Sequence, residues 1–128
     1  MRKSKNKSKA MQKADKYFSL YIRQRDSDAD GWGHCITCGK RIHVTTGHCG
    51  HFVLRNRQAT RYDERNANLQ CVSCNTFNSG EQYAHGKAID DKFGPGTADE
   101  LFNLSQTLTK RTQADFEEIA EAYKQLIG

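Results

Sequence analysis

Two Cys-x2-Cys pairs constrain the fold of this chain more than any other feature. Cys35 and Cys38 form the first pair, and Cys71 and Cys74 form the second. A gap of two residues lets both sulfurs of a pair reach one tetrahedral centre, and two pairs complete a four-cysteine zinc site. Four thiolates leave no coordination position for water, so the spacing predicts a structural Zn2+ ion and not a catalytic one.

Other uses of the cysteines explain less of the pattern. A dithiol redox site needs a single pair and leaves the second without a role. The basic start of the chain is not followed by an apolar stretch, so we read no secretory signal and expect no structural disulfides. Cys49 lies outside both pairs. We expect it to be a packed free thiol, with exchange for one of the four ligands as the alternative.

The composition explains why a metal is needed. The chain has 128 residues, of which 36% are hydrophobic, and residues 34–80 are rich in Cys, His, Asn, Gly and Arg but poor in Leu and Ile. Such a segment cannot build a conventional apolar core. We expect one domain over 14–128. No apolar run approaches the roughly 20 residues that a membrane helix needs, so we expect an intracellular protein with no membrane contact and no small-molecule cofactor.

The charge is concentrated in two places. The formal net charge is +5. Residues 1–13 contain basic side chains and no acid, and we predict that they form a disordered tail. This tail either attracts phosphates or only keeps the chain soluble. Its candidate DNA-binding residues are Lys3, Lys5, Lys7 and Lys9.

The remaining patterns predict helices around a hairpin. Apolar residues three and four apart predict a helix over 14–26. Ile42 and Val44 are expected to pair with Phe52 and Val53 around a Thr-Thr-Gly turn. Helices are expected over 80–127, of which the first covers 80–92, and the last two are predicted to pack as a hairpin. Capping boxes are predicted at Thr97 with Glu100 and at Thr112 with Asp115, and Gly128 is expected to end the last helix.

Several short motifs occur together in one order. The segments CITCG, GHF, RYDERN and QCVSCN follow one another between residues 35 and 75. This order resembles that of the zinc-stapled HNH endonucleases, also called ββα-metal or His-Me finger enzymes. Over roughly residues 17–85 it more closely resembles the lambdoid-phage NinG/Rap recombination nucleases. The resemblance implies an α+β fold whose HNH-like, treble-clef-type core is flanked by an N-terminal helix and a C-terminal helical hairpin.

The resemblance also implies a role for three residues. His51 would be the general base that takes a proton from the attacking water, and imidazole titrates near neutral pH as this requires. Asn66 would hold the His51 segment in orientation. Asn75 would give an oxygen ligand to a catalytic Mg2+ or Mn2+ ion.

The sequence departs from the pattern of many HNH enzymes at one position. Those enzymes carry a metal-binding Asp or His directly before the base, and here Gly50 has no side chain to offer. His48 is the preferred substitute ligand and Asp63 a weaker one. A hairpin residue at position 48 with no metal role, and an inactive HNH scaffold, remain open alternatives.

Arginines are expected to bring DNA to this site. Arg is suited to phosphate by its forked donors, and the loop between His51 and Asn66 contains four. The candidate DNA contacts are Arg55, Arg57, Arg61 and Arg65, with Arg23 and Arg25 of the first helix.

The function implied by the resemblance is metal-dependent endonucleolytic cleavage of branched DNA, such as Holliday junctions and D-loops, in phage recombination. Symmetric cleavage needs two active sites, so a homodimer in the host cytoplasm is expected. Two alternatives are a non-catalytic zinc-dependent DNA-binding module and a sequence-specific HNH endonuclease.

Overall fold

The computed structural model describes residues 2–77 and 81–127, and the chain divides into two compact units. Unit 1 comprises Met1–Tyr21 with Lys110–Gly128, and unit 2 comprises Ile22–Thr109. The single domain predicted over 14–128 stays a prediction. The described buried side chains of unit 1 come mainly from two helices, and those of unit 2 include three of the paired cysteines.

Unit 1 is built from two helices. Helix α1 is Arg2–Arg25, of which the residues up to Tyr21 belong to this unit, and helix α5 is Gln113–Leu126. Phe18 of α1 meets the Tyr123 ring of α5 edge-on, with 5.1 Å between ring centroids. The buried apolar side chains of the unit are Ala10, Ala14, Phe18, Phe116 and Ala120. Their spacing of four residues along each helix produces one continuous apolar face.

The start of the chain differs from its prediction. Helix α1 begins at Arg2, so the disordered tail predicted over 1–13 is wrong for the described residues of that segment. Ala10 is buried on the same face as Ala14, which extends the packed stripe towards the N-terminus. The helix predicted over 14–26 is present and ends at Arg25, one residue early.

Two small antiparallel sheets form the centre of unit 2. Strands β1 (Trp32–His34) and β2 (Arg41–His43) form one sheet, and β3 (His48–His51) and β4 (Ala67–Gln70) form the other. The predicted pairing of 42–44 with 52–53 is therefore wrong. The first Cys pair supplies the turn between β1 and β2, where the N–H of Cys35 donates to the carbonyl of Lys40 at 2.8 Å.

Three helices complete unit 2. They are α2 (Gln58–Arg61), α3 (Gln82–Phe93) and α4 (Thr97–Ser105), and a π-helical turn, Ser73–Phe77, follows β4. Helix α3 confirms the prediction of a helix over 80–92 and ends at Gly94, whose φ of 119° favours glycine. Both α2 and α3 pack against α4.

One predicted capping box forms and one does not. Thr112 accepts from the N–H of Asp115, whose side chain accepts from the N–H of Thr112, as predicted. The box at Thr97 is wrong because Gly96 is the N-cap and the Thr97 hydroxyl donates to the carbonyl of Gly94 at 2.7 Å. The stop predicted at Gly128 lies outside the described residues.

The two helices of the predicted C-terminal helical hairpin fall in different units. Helix α4 belongs to unit 2, where Leu101 is buried, and α5 belongs to unit 1, where Phe116 is buried. The apolar face of each helix is buried within the helix's own unit. Among the helices of the described residues, none combines the length and the apolar character that a membrane span requires.

Candidate functional site

The four paired cysteines lie together, as their spacing predicts. One sulfur from each of Cys35, Cys38, Cys71 and Cys74 lies within 4.8 Å of the others, and Cys38 Sγ is 3.8 Å from Cys71 Sγ. A tetrahedral zinc ion with Zn–S bonds of about 2.3 Å requires sulfurs about 3.8 Å apart. The donor set and its spacing therefore fit a metal such as zinc.

The surroundings of the cluster favour a thiolate at Cys35 and oppose one at Cys74. Burial raises the pKa of Cys35, but the Thr37 hydroxyl at 3.2 Å and backbone N–H groups outweigh it and lower that pKa to about 6. For Cys74 the Thr37 hydroxyl lowers the pKa, whereas burial and the neighbouring sulfurs raise it to about 12. Without a cation the cluster thus stabilises one thiolate readily and resists the formation of others. The positive charge of a divalent metal would offset the repulsion between the thiolates.

The cluster is also part of the core of unit 2. Ile42 and Leu69 pack with the buried Cys35, Cys71 and Cys74. Cys49 is not among the clustered sulfurs, and it is a free thiol on β3, as predicted. Burial raises the pKa of Cys49 to about 12, so it stays protonated at neutral pH.

His51 stands at the end of β3 with its ring held by the backbone. Its Nε2 lies 3.0 Å from the carbonyl oxygen of Arg61. Because a carbonyl only accepts, this nitrogen carries the proton and Nδ1 is the basic nitrogen of the neutral ring. The side chain is half-buried. A tautomer fixed in this way is what a general base at neutral pH needs.

Asn66 fixes the chain directly after His51. Its Oδ1 accepts from the N–H of Val53 at 2.8 Å, and its Nδ2 donates to the carbonyls of Val53 at 3.0 Å and Thr60 at 3.2 Å. The side chain is fully buried. This amide replaces strand pairing at Val53 and ties the segments on both sides of α2 together.

The ring of Phe52, the residue between His51 and Val53, packs against α3. Its ring packs edge-on against the buried His85, with 5.9 Å between centroids. A Cβ on Gly86 would come within 3.0 Å of the Phe52 ring, so glycine allows this close approach. The two residues that follow His51 are therefore held by independent contacts.

His48 and Asn75 meet beside the cysteine cluster. Asn75, in the π-helical turn, places Nδ2 3.0 Å from His48 Nδ1. Alternation along β3 puts His48 and Gly50 on one face and His51 on the other. A Cβ on Gly50 would lie 2.0 Å from Oε1 of Gln70, so the Gln70 side chain fills the space where a ligand side chain would stand.

Asp63, the weaker candidate for a metal ligand, binds Arg65 in the structure. Its Oδ1 accepts from the Arg65 N–H at 3.0 Å and from Arg65 Nε at 3.1 Å, and its Oδ2 accepts from Arg65 Nη2 at 2.9 Å. Arg65 also pairs with Glu100 at 3.1 Å. These two carboxylates raise the pKa of Arg65, with Asp63 the larger cause.

Three more of the predicted DNA-contacting arginines bind the protein itself. Arg61 is buried and donates to the carbonyl of Arg55, and Arg23 donates to the carbonyl of Val44 at 3.0 Å. Arg25 donates to the carbonyls of Glu64 at 2.7 Å and Ala67 at 2.9 Å. These arginines, like Arg65, use their donors to hold the fold together.

The remaining candidates are accessible. The side chains of Arg55 and Arg57 are exposed in the loop before α2, and three lysines of α1 are exposed. These lysines are Lys5, Lys7 and Lys9. The side chain of Lys3 lies outside the described part of the chain. Candidate side chains for phosphate binding are therefore exposed in both units.

Sequence reasoning missed a buried polar network behind His51. Asn68 Oδ1 accepts from Arg25 at 3.0 Å and from Lys92 at 2.7 Å, and its Nδ2 lies 3.3 Å from His85 Nε2. The pKa of His85 is lowered to about 4. Burial is the main cause, and the nearby His51 and Lys92 contribute to the same shift. Asp26 accepts from Lys92 at 2.8 Å. The separation of these residues in the sequence gives no signal that they meet.

Comparison with known proteins gives a consistent result. A family model described as Bacteriophage Lambda NinG protein matches residues 1–128. The protein ninG of Salmonella phage P22 is 31% identical over 98 residues, and that of Escherichia phage lambda is 30% identical over 98 residues. Each alignment covers 76% of this chain and 46% of the relative, so the chain matches about half the length of these relatives. No solved structure matches.

Proposed function

The chain belongs to the NinG family of phage proteins, and from this premise we propose that it is a metal-dependent endonuclease that cleaves branched DNA, with His51 as its general base. The observation that carries the proposal is the held imidazole of His51, whose Nε2–H donates to the Arg61 carbonyl at 3.0 Å. The order of β3, β4 and the π-helical turn Ser73–Phe77, which contains Cys74, agrees with an HNH-like ββα core.

His51 would act through Nδ1. This nitrogen takes a proton from water as the water oxygen attacks phosphorus, and the bond from phosphorus to the 3′ oxygen breaks. Asn66 keeps the reacting ring in place because its amide binds Val53 on both backbone groups. The leaving oxygen acquires its proton from solvent, so the products are a 5′ phosphate and a 3′ hydroxyl.

His48 and Asn75 are the residues that would hold a catalytic cation. An imidazole nitrogen and an amide oxygen suit Mn2+, and the amide oxygen also suits Mg2+. Such a cation, when bound, stabilises the charge that develops on the phosphate and the leaving oxygen. In the structure Asn75 Nδ2 lies 3.0 Å from His48 Nδ1, so the Asn75 amide would turn to present its oxygen to a cation beside His48.

The DNA would be held mainly by exposed basic side chains. Arg55 and Arg57 follow His51 closely in the sequence, and the lysines of α1 add a second basic surface. Such contacts bind phosphate in any sequence. This supports recognition of DNA structure over recognition of base sequence, and it agrees with recombination intermediates as the substrate.

A cleavage assay tests the proposal. A Holliday junction, a flap and a linear duplex are incubated with Mg2+ or Mn2+ and either the natural chain or His51→Ala. We expect the natural chain to cut the branched substrates. His51→Ala should keep its zinc and its DNA affinity but lose cutting by roughly 100-fold or more, with partial rescue by added imidazole.

Matched variants separate the roles. His48→Ala and Asn75→Ala should raise the Mn2+ concentration needed for half-maximal cutting, whereas Glu118→Ala, exposed on α5, should cut as the natural chain does. Binding without cutting by every protein in every metal would leave a zinc-dependent DNA-binding module. Cutting by His51→Ala at the natural rate would disprove the role of His51.

A further inference from the structure

The β1–β2 sheet carries an unusual group of side chains on its exposed face. Trp32 pairs across the strands with His43, and His34 pairs with Arg41. Because side chains alternate along a strand, these four share one face while Gly33 and Ile42 take the other. Ile42 is buried, which identifies the opposite face as the one turned outwards.

Trp32 is the centre of this face, which we name the Trp32 face (Trp32, His34, Arg41 and His43). The Arg41 guanidinium lies 4.1 Å from the centre of the Trp32 ring, and the His43 ring meets it edge-on at 4.9 Å. The residue is 36% exposed although it is the only tryptophan of the chain. An aromatic ring beside a basic surface is the combination that proteins use to bind single-stranded nucleic acid.

The charge of the face favours an anionic ligand. Arg41 and Lys40 are exposed cations. Asp28 is the acid that acts on Arg41, and its carboxylate already accepts from the N–H groups of Asp30 and Trp32, each at 2.9 Å. Asp28 therefore shapes the turn that precedes β1, and Arg41 and Lys40 are the groups that would attract a phosphate.

The cysteine cluster would hold this face rigid. β1 ends directly before Cys35, and β2 begins three residues after Cys38. The turn between the strands is closed by the bond from the Cys35 N–H to the Lys40 carbonyl at 2.8 Å and by one from the Gly39 N–H to the Cys35 carbonyl at 2.9 Å. A metal on the four cysteines would fix both strands, and a preorganised surface loses less entropy on binding.

We propose that the Trp32 face binds unpaired nucleotides of DNA, with a base stacked on the indole ring and the adjacent phosphate bound by Arg41. An aromatic ring accepts any base, and a basic surface beside it follows the backbone, which is the recognition used for single strands. A continuous duplex keeps its bases stacked inside and cannot offer them. This inference rests on the proposed function and narrows its substrate to DNA with unpaired or unstacked nucleotides at the branch.

Intrinsic fluorescence tests the proposal directly, because Trp32 is the sole source of tryptophan emission. His51→Ala protein, without added Mg2+ or Mn2+, is titrated with a thymidine oligonucleotide, a blunt duplex and heparin. We expect the single strand to quench Trp32 and the duplex and heparin to quench it much less. Anisotropy with labelled single strand should show a loss of roughly 5- to 100-fold in affinity for Trp32→Ala.

Matched variants make the result decisive. Trp32→Phe keeps a stacking ring and should recover most of the affinity, Arg41→Ala should weaken binding, and Tyr83→Ala, which removes an aromatic ring that is 80% exposed on α3, should change nothing. Zinc content verifies that each variant is folded. Single-strand binding without quenching, or equal affinity of Trp32→Ala, would overturn the inference.

The outcomes also separate the inference from the proposed function. If the natural chain cuts branched DNA and Trp32→Ala binds and cuts equally well, the inference fails alone. If the single strand quenches Trp32 but no DNA is cut in any metal, the face is a nucleotide-binding surface and the proposed nuclease activity fails. Equal quenching by heparin and single strand would indicate attraction to any polyanion and would contradict stacking.

Discussion

The two units of this chain reach a folded state by different means. Unit 1 joins α1 and α5 through buried Ala10, Ala14, Phe18, Phe116 and Ala120, which is ordinary apolar packing between helices. Unit 2 buries Asn66, Asn68, Gln70 and His85 beside four clustered cysteines. Polar side chains in a core lower stability unless each is bonded. We therefore expect unit 2 to depend on hydrogen bonds and a bound metal in addition to apolar area, whereas unit 1 depends on apolar area.

The two units also differ in the chemical roles that we propose for their residues. Every residue that we propose for the reaction or the cation, including His48, His51 and Asn75, lies in unit 2. A polar interior can fix an imidazole or an amide by hydrogen bonds, as the Arg61 carbonyl does for His51 and Asn66 does for Val53. An apolar helix pair offers no such partners, and its exposed lysines suit only general attraction of phosphates.

Removal of the metal should have the largest effect and should act on unit 2. Structural zinc contributes on the order of 10 kcal/mol in zinc-finger peptides. We expect a chelator, or Cys71→Ser, to abolish the protection of β1–β4 amides against hydrogen exchange. Amides of α5 should stay protected, because its packing involves no cysteine. Exchange mass spectrometry together with zinc analysis measures both.

Cys49 supplies the control for this experiment. Its sulfur lies outside the cluster, so Cys49→Ser should retain about one zinc per chain. Loss of protection throughout both units on chelation would show that unit 1 has no independent stability. Full protection of β1–β4 without zinc would mean that the polar core of unit 2 needs no metal.

Truncation of an apolar side chain should have the converse effect. Phe18 is 1% exposed and contacts Tyr123 edge-on. We expect Phe18→Ala to lower the free energy of unfolding of unit 1 by about 3–5 kcal/mol through lost transfer energy and the cavity left behind. Exchange should rise in α5, while zinc content and β1–β4 protection stay unchanged. Leu126→Ala, at a site 61% exposed, is the control and should change little. Release of zinc by Phe18→Ala would show that the two units unfold as one.

The two cores also differ in how far the sequence predicted them. The cysteine cluster was predictable because two-residue spacing determines where the sulfurs point, and α1, α3 and α5 have apolar residues at helical intervals. The strand pairing was not predictable. Each strand has only three or four residues, and β4 (Ala67–Gln70) is buried at every position, so no alternation shows which strand it joins.

The arginines show the same limit within the candidate site. Arg25 and Arg65 appear in the sequence only as positive charge, and the tertiary fold brings the Ala67 carbonyl to the first and the Glu100 carboxylate to the second. The roles expected of Asn66 and His51 remain predictions, although the structure gives Asn66 its bonds to Val53. His85 was missed because a lone histidine on a helix gives no sign of burial.

The buried histidine provides the smallest and most local of the three tests. Burial lowers the pKa of His85 to about 4, against an ordinary value of about 6.5 in an unfolded chain. The unfolded state therefore binds the additional proton between these values, and stability is lost as the pH falls from about 6.5 to about 4. The shift corresponds to about 3 kcal/mol. Urea unfolding at pH 7, 6, 5 and 4 measures it.

His85→Gln isolates this contribution because glutamine keeps a polar side chain and has no titration in the window. The thiol ligands also take up protons in acid and release metal, but they do so in both proteins, so the difference between the two curves belongs to His85. We expect His85→Gln to be the less acid-sensitive of the two. Parallel curves would mean that His85 has the same pKa in the folded and the unfolded state. The folded protein would then carry a charged imidazole near Lys92 in the acid range, and that ring would have no acceptor for the Asn68 amide Nδ2.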